Sequence, residues 1–166
     1  MATWTDGVDR AAGYIVPAAV WNSQLGATGS LMYLKDKIIT YQRDTVTSDQ
    51  TITNSTSWTD ITGLSISLTP TADDFILLFF QLPAYTYNGA YMSFQILKDA
   101  TVIQSVIDYP MSTSSSHPIT MIVLNIPGAG TFTYKVQAQN NQSPAVSTLY
   151  GAATTPIELT GILFGV

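Results

Sequence analysis

The sequence predicts an all-β protein: an antiparallel β-sandwich of the jelly-roll kind, with about ten short strands, preceded by an N-terminal arm that carries a short helix. Three observations predict it. From Ile39 onward, segments rich in Thr, Ile, Val, Tyr and Phe follow one another, as pleated half-buried surfaces prefer. Several alternate with period two: Leu64, Ile66 and Leu68 point one way and Ser65 and Ser67 the other, and Phe132, Tyr134 and Val136 alternate with Thr133 and Lys135. The joints carry turn chemistry, at Thr69-Pro70, Asn88-Gly89, Lys98-Asp99-Ala100, Pro127-Gly128-Ala129-Gly130 and Asn140-Asn141-Gln142-Ser143-Pro144.

The predicted strands are Ile39–Thr47, Thr51–Trp58, Leu64–Leu68, Phe75–Leu82, Tyr91–Lys98, Val102–Tyr109, Ile119–Ile126, Thr131–Gln139, Ala145–Tyr150 and Ile157–Val166. They make residues 39–166 one domain, and residues 1–38 an arm of different texture. In the arm, Pro17 suits the first position of a helix, and Ala18, Trp21, Leu25 and Met32 recur at roughly helical spacing. Gly26 and Gly29 interrupt that stripe at about 1 kcal/mol each relative to Ala, so the helix is expected to form on docking or to break in two there.

Composition narrows the function. Only 10% of the 166 residues are charged against 46% apolar, where about a quarter charged is ordinary. Such a chain must cover itself with Thr, Ser, Asn and Gln, or against other subunits. From Tyr109 to the end only Lys135 and Glu158 are charged. The net charge is −5 and the six basic residues are scattered, which argues against nucleic-acid binding. There is no cysteine, hence no disulfide or thiolate zinc site. The first ten residues hold acidic side chains and no apolar stretch of the secretory-signal kind. The longest apolar run, Phe75 to Phe80, falls far short of the about 20 residues of a membrane helix.

Two strands, Phe75–Phe80 and Ile157–Val166, are apolar on both faces. In a lone antiparallel sandwich one face of each strand should meet water. Two readings stay open: a central strand beneath the arm, or a subunit interface.

Residues that could carry chemistry are few. His117, the lone histidine, follows Ser114-Ser115-Ser116, but a nucleophilic triad also needs an orienting group and an oxyanion hole. A polar connecting loop is the ordinary reading, and no catalytic residue is assigned. Asp73-Asp74 reads as a turn, since neighbours in a strand point to opposite faces. Asp6 and Asp9 lack EF-hand spacing, and Glu158, the lone glutamate, has no partner that the sequence identifies. No metal or cofactor is expected. Tyr85, Tyr87, Asn88 and Tyr91 form a tyrosine-rich loop that could stack on a sugar, or could cap the sandwich end.

The segment Ala12-Gly13-Tyr14-Ile15-Val16-Pro17-Ala18-Ala19-Val20-Trp21-Asn22, followed by Leu25 and Leu31–Leu34, resembles the N-terminal segment of many phage particle proteins. Pro17 and Val20 stand where such segments often have Thr and Asp. Trp58–Pro70, Gly130–Gln137 and the apolar last strand are similar to the trimeric TNF-like jelly rolls found in phage head-decoration proteins and fibre tips. The resemblance implies a non-enzymatic virion structural protein, assembled in the host cytoplasm and carried on the virion surface. It implies a homotrimeric capsid decoration protein docked on a phage major capsid or tail protein through Trp4, Tyr14, Trp21, Leu25 and Leu34, with trimer contacts at Phe75, Leu77, Phe79, Leu159, Leu163 and Phe164. The alternative is a tail-fibre module that binds a host surface glycan at Tyr85, Tyr87, Asn88 and Tyr91.

Overall fold

Period-two alternation is what the backbone obeys. The computed structural model describes residues 37–53, 57–86, 91–109, 117–141 and 146–165. Within them run β1 (Ile38–Val46), β2 (Gln50–Thr53), β3 (Thr59–Leu68), β4 (Phe75–Leu82), β5 (Ala84–Thr86), β6 (Met92–Lys98), β7 (Thr101–Asp108), β8 (Ile119–Asn125), β9 (Phe132–Asn140), β10 (Val146–Tyr150) and β11 (Ile157–Phe164). The arm's predicted helix and the predicted attachment residues Trp4, Tyr14, Trp21, Leu25 and Leu34 fall outside the described residues. Residues Ile39–Val166 form a compact unit of their own.

Two four-stranded sheets, in the orders β1-β11-β4-β8 and β3-β9-β6-β7, make the sandwich, and this is the strand order of a jelly roll. The pairings of β10 with β2 and β5, of β4 with β11 and β8, of β9 with β3 and β6, and of β6 with β7 are antiparallel. A third, three-stranded sheet, β2-β10-β5, is built from the connections β1–β3, β4–β6 and β9–β11. Because successive strands alternate in direction, these three connections and the β7–β8 connection gather at one end of the sandwich. The connections β3–β4, β6–β7 and β8–β9 at the other end are short. β5 is an addition to the predicted strands; Pro83 and its short length hid it.

Between the sheets, Ile76, Leu78, Phe80 and Leu82 of β4 and Leu159 and Leu163 of β11 meet Leu64, Ile66, Leu68, Phe94, Ile96, Tyr134 and Val136. The Phe80 and Phe94 rings lie 6.2 Å apart across that layer. β3 starts earlier than predicted because its register against β9 shifts between Asp60 and Ser65, where Gly63 takes a φ of 79°. The glycine is absorbed as an irregularity inside one strand instead of ending it.

Gly161 is an inward position of β11, and a Cβ there would lie 2.6 Å from Ile66 Cδ1 and 2.8 Å from Leu68 Cδ1. The missing side chain lets the facing sheet approach. Gly161→Val is therefore expected to lower stability by about 1–3 kcal/mol through overpacking, read by chemical denaturation. Tyr134, fully buried, donates its hydroxyl to Asn125 Oδ1 at 3.0 Å. Burial, with the Asp99 charge adding to it, pushes this phenol up to about 12 from its ordinary 10.0. From about pH 10 to 12 the unfolded chain sheds a proton that the folded chain keeps, so stability should fall as pH climbs through that window. Tyr134→Phe should flatten that decline in urea titrations at pH 9 to 12.

Candidate functional site

The sandwich has two outward faces, and their chemistry differs. On the β1-β11-β4-β8 sheet, Phe75, Leu77 and Phe79 alternate outward from the core residues of β4. Register sets Phe164 opposite Phe75, Ile162 opposite Leu77 and Thr160 opposite Phe79. On the far side of β4, Leu124 lies opposite Leu77 and Ile122 opposite Phe79. Phe75 and Phe164 stack at 4.8 Å with 11° between their planes. Ile122 and Leu124 are 59% and 62% exposed.

This face grades from apolar to polar. Its last row is Glu158, Gln81 and Thr120. Arg43 Nη2 reaches Glu158 Oε2 at 2.6 Å, and Thr160 Oγ1 donates to Glu158 Oε1 at 2.7 Å. Arg43 thereby marks the outward side of β1, and alternation puts Tyr41 and Ile39, both exposed, on that side. An open cavity of about 310 Å³ lies next to the polar row, lined in part by Pro83, Pro118 and Pro156. Four strands of some eight residues give a face of roughly 500 Å² from strand spacing and rise. With the polar row set aside, the apolar part falls within the about 300–600 Å² of the largest patch on a typical monomer, a patch that is often functional.

The outward face of β3-β9-β6-β7 is mostly polar, and its charged residues Lys135 and Asp60 are paired. Gln95 Nε2 donates to Gln137 Oε1 at 2.6 Å, Gln137 Nε2 donates to Asp60 Oδ1 at 2.7 Å, and Lys135 Nζ donates to Asp60 Oδ2 at 3.0 Å. Partial burial pushes the Asp60 carboxyl up, but the hydrogen bonds from Gln137 and Lys135 and the Lys135 charge outweigh it and hold it below the usual carboxylate range. Toward the loop-bearing end, Ser93 faces Gln139 on one side and Ile107 on the other. Beyond that row, Tyr91 and Tyr109 bring their rings to 5.2 Å at 52°. Tyr91 N donates to Asn141 Oδ1 at 2.8 Å, and Asn141 N to the Tyr91 carbonyl at 3.4 Å.

A third cluster sits inside that end. Tyr85 is buried, its ring against Phe94 at 5.6 Å and His117 at 5.8 Å, and its hydroxyl donates to Asp108 Oδ2. His117 Nδ1 lies 4.0 Å from the same oxygen. The serines 114–116 lie outside the described residues. Among the described residues, no group of three or more His, Cys, Asp and Glu could hold a metal. Asp74 behaves as a turn residue: it is buried, and its Oδ2 accepts the Thr71 N–H at 2.7 Å.

The predicted site residues therefore divide. Phe75, Leu77, Phe79 and Phe164 share one outward face. Leu159 and Leu163 do not: both point into the core, at 0% and 1% exposure, so neither can touch another subunit. The outward residues of β11 are Thr160, Ile162 and Phe164. Tyr85 is likewise removed from any glycan contact, because β5 turns its ring inward. Tyr87 and Asn88 lie outside the described residues, and Tyr91 stands at the surface beside Tyr109. Sequence reasoning missed Ile122 and Leu124, although Ile119–Asn125 is apolar on alternate and intervening positions alike, the same signal that marked β4.

No protein-family model matches the chain, and no curated protein matches it. Among solved structures, a chain of infectious bursal disease virus, Gt strain, is similar at a TM-score of 0.43 and 8% identity. The match covers 75% of this chain and 35% of that one, so this chain spans about a third of the length of that neighbour.

Proposed function

We propose that this chain is a non-enzymatic structural protein of a bacteriophage particle, a homotrimer whose copies pack through the outward face of β1-β11-β4-β8. Residues 1–38 dock it on a capsid or tail protein at the virion surface, and the sandwich projects from it. The observation that carries this reading is the apolar face centred on Phe75, Leu77, Phe79, Ile122, Leu124 and Phe164, in a chain with 10% charged residues. A contiguous patch of stacked phenylalanines and paired leucines at the water-facing positions of a sandwich is the kind of surface that marks an interaction site.

Burial of that face by neighbouring copies stabilises each fold through the apolar area removed from water. Arg43 and Glu158 at its polar end sit where a charged rim belongs, set apart from the apolar centre. The count of three, and the attachment by Trp4, Tyr14, Trp21, Leu25 and Leu34, come from the resemblance of the sequence to phage decoration proteins. Such a protein acts by mass action: it binds the assembled shell and thereby stabilises it.

Native mass spectrometry of the full chain tests the reading. Wild type should run at three times 17.9 kDa, and Leu77→Asp with Ile122→Asp should run at 17.9 kDa while keeping a cooperative melt. A wild type of single mass at tens of micromolar, or a double variant that stays trimeric, would contradict it.

A further inference from the structure

We propose that the outward face of β9-β6-β7, at the loop-bearing end of the sandwich, is a binding site for a neutral oligosaccharide, seated on Tyr91 and Tyr109 and oriented by Asn141.

Three independent features converge there. The first is register. Met92 pairs with Asp108 and with Asn140, so the next row outward brings Asn141, Tyr91 and Tyr109 side by side across three neighbouring strands. The second is the state of the rings. Tyr109 is 65% exposed yet held against Tyr91 at 5.2 Å, with the planes opened to 52°. The Tyr91 backbone is pinned by two hydrogen bonds with Asn141, and its ring is held by packing on Tyr109. A fixed, open aromatic pair offers the C–H face of a pyranose a stacking surface, and the tyrosine hydroxyls and the Asn141 amide offer partners to its hydroxyls.

The third is charge. The rows leading from this pair hold Gln139, Ser93 and Ile107, then Gln137, Gln95 and Ser105. The nearest ion pair on that face, Lys135 with Asp60, is self-satisfied. With six basic residues in the whole chain and a net charge of −5, an anionic sugar would be repelled, and a neutral one meets the Tyr91 and Tyr109 rings, the Asn141 amide and the exposed Ile107, while Ser93 and Gln95 are buried. Four of the interstrand connections also open at this end, where binding residues collect on a rigid scaffold.

The site is separate from self-association, because it uses the opposite sheet. Its probes are maltohexaose, cellohexaose, chitohexaose and mannohexaose, with a heparin hexasaccharide as the anionic comparison. Each is titrated into the full-length protein and followed by amide chemical shifts. At least one neutral sugar should shift the Tyr91, Tyr109 and Asn141 amides saturably. Tyr109→Ala should weaken that binding about tenfold, and Tyr109→Phe, which keeps the ring, should stay within about twofold. Native mass should be the same in both variants, whereas Leu77→Asp should change mass and leave the sugar shifts in place. Absence of a saturable shift with all four neutral sugars, unchanged affinity in Tyr109→Ala, or binding of heparin alone would overturn the proposal.

Discussion

A two-layer sandwich covers one face of each sheet and leaves the other to water. β4 sits at the centre of its sheet with Ile76, Leu78, Phe80 and Leu82 on one side and Phe75, Leu77 and Phe79 on the other. The inner set forms the core, and it fixes the register of everything that packs on it. The outer set is then committed to a surface where apolar side chains stabilise nothing unless something covers them. Register compounds the effect, because the neighbours across from Leu77 are Ile162 and Leu124 and those beside Phe79 include Ile122. The apolar face is a consequence of strand pairing as much as of composition.

The other sheet resolves the same constraint in the ordinary way. Its outward positions are mostly Ser, Thr and Gln beside an exposed Ile107, and a chain of hydrogen bonds runs from Gln95 through Gln137 to Asp60, which Lys135 also meets. That chain satisfies its polar groups with a single ion pair, Lys135 with Asp60, which is how a protein with 10% charged residues makes one face polar. The two faces thus differ in kind: one is apolar across its centre, the other is a hydrogen-bonded polar surface.

Much of this was legible in the sequence, and the failures are instructive. The strands of β4, β6, β8 and β10 lie within a residue of where alternation and turn chemistry predict them, and the jelly-roll architecture follows from their number and spacing. The apolar character of β4 on both faces was readable from Phe75 to Phe80. In β11, however, Leu159 and Leu163 and also Ile162 and Phe164 are apolar, so composition carries no parity, and only the pairing with β4 decides which set is inward. Tyr85 looked like its loop neighbours, yet a three-residue strand paired with β10 turns it into the core. The row of Asn141, Tyr91 and Tyr109 joins residues from three distant segments, and no local pattern announces it.

The central claim is that the face around Leu77 and Phe79 is covered in the working protein. The chain has no cysteine, so a single introduced thiol reports on one position. Leu124→Cys lies on the apolar face and Ser105→Cys on the polar one, and both positions are exposed in the single chain. Maleimide labelling of the native, undiluted protein should modify Ser105→Cys quickly and leave Leu124→Cys protected until the assembly is diluted apart. Equal labelling of both thiols at every concentration would contradict the account.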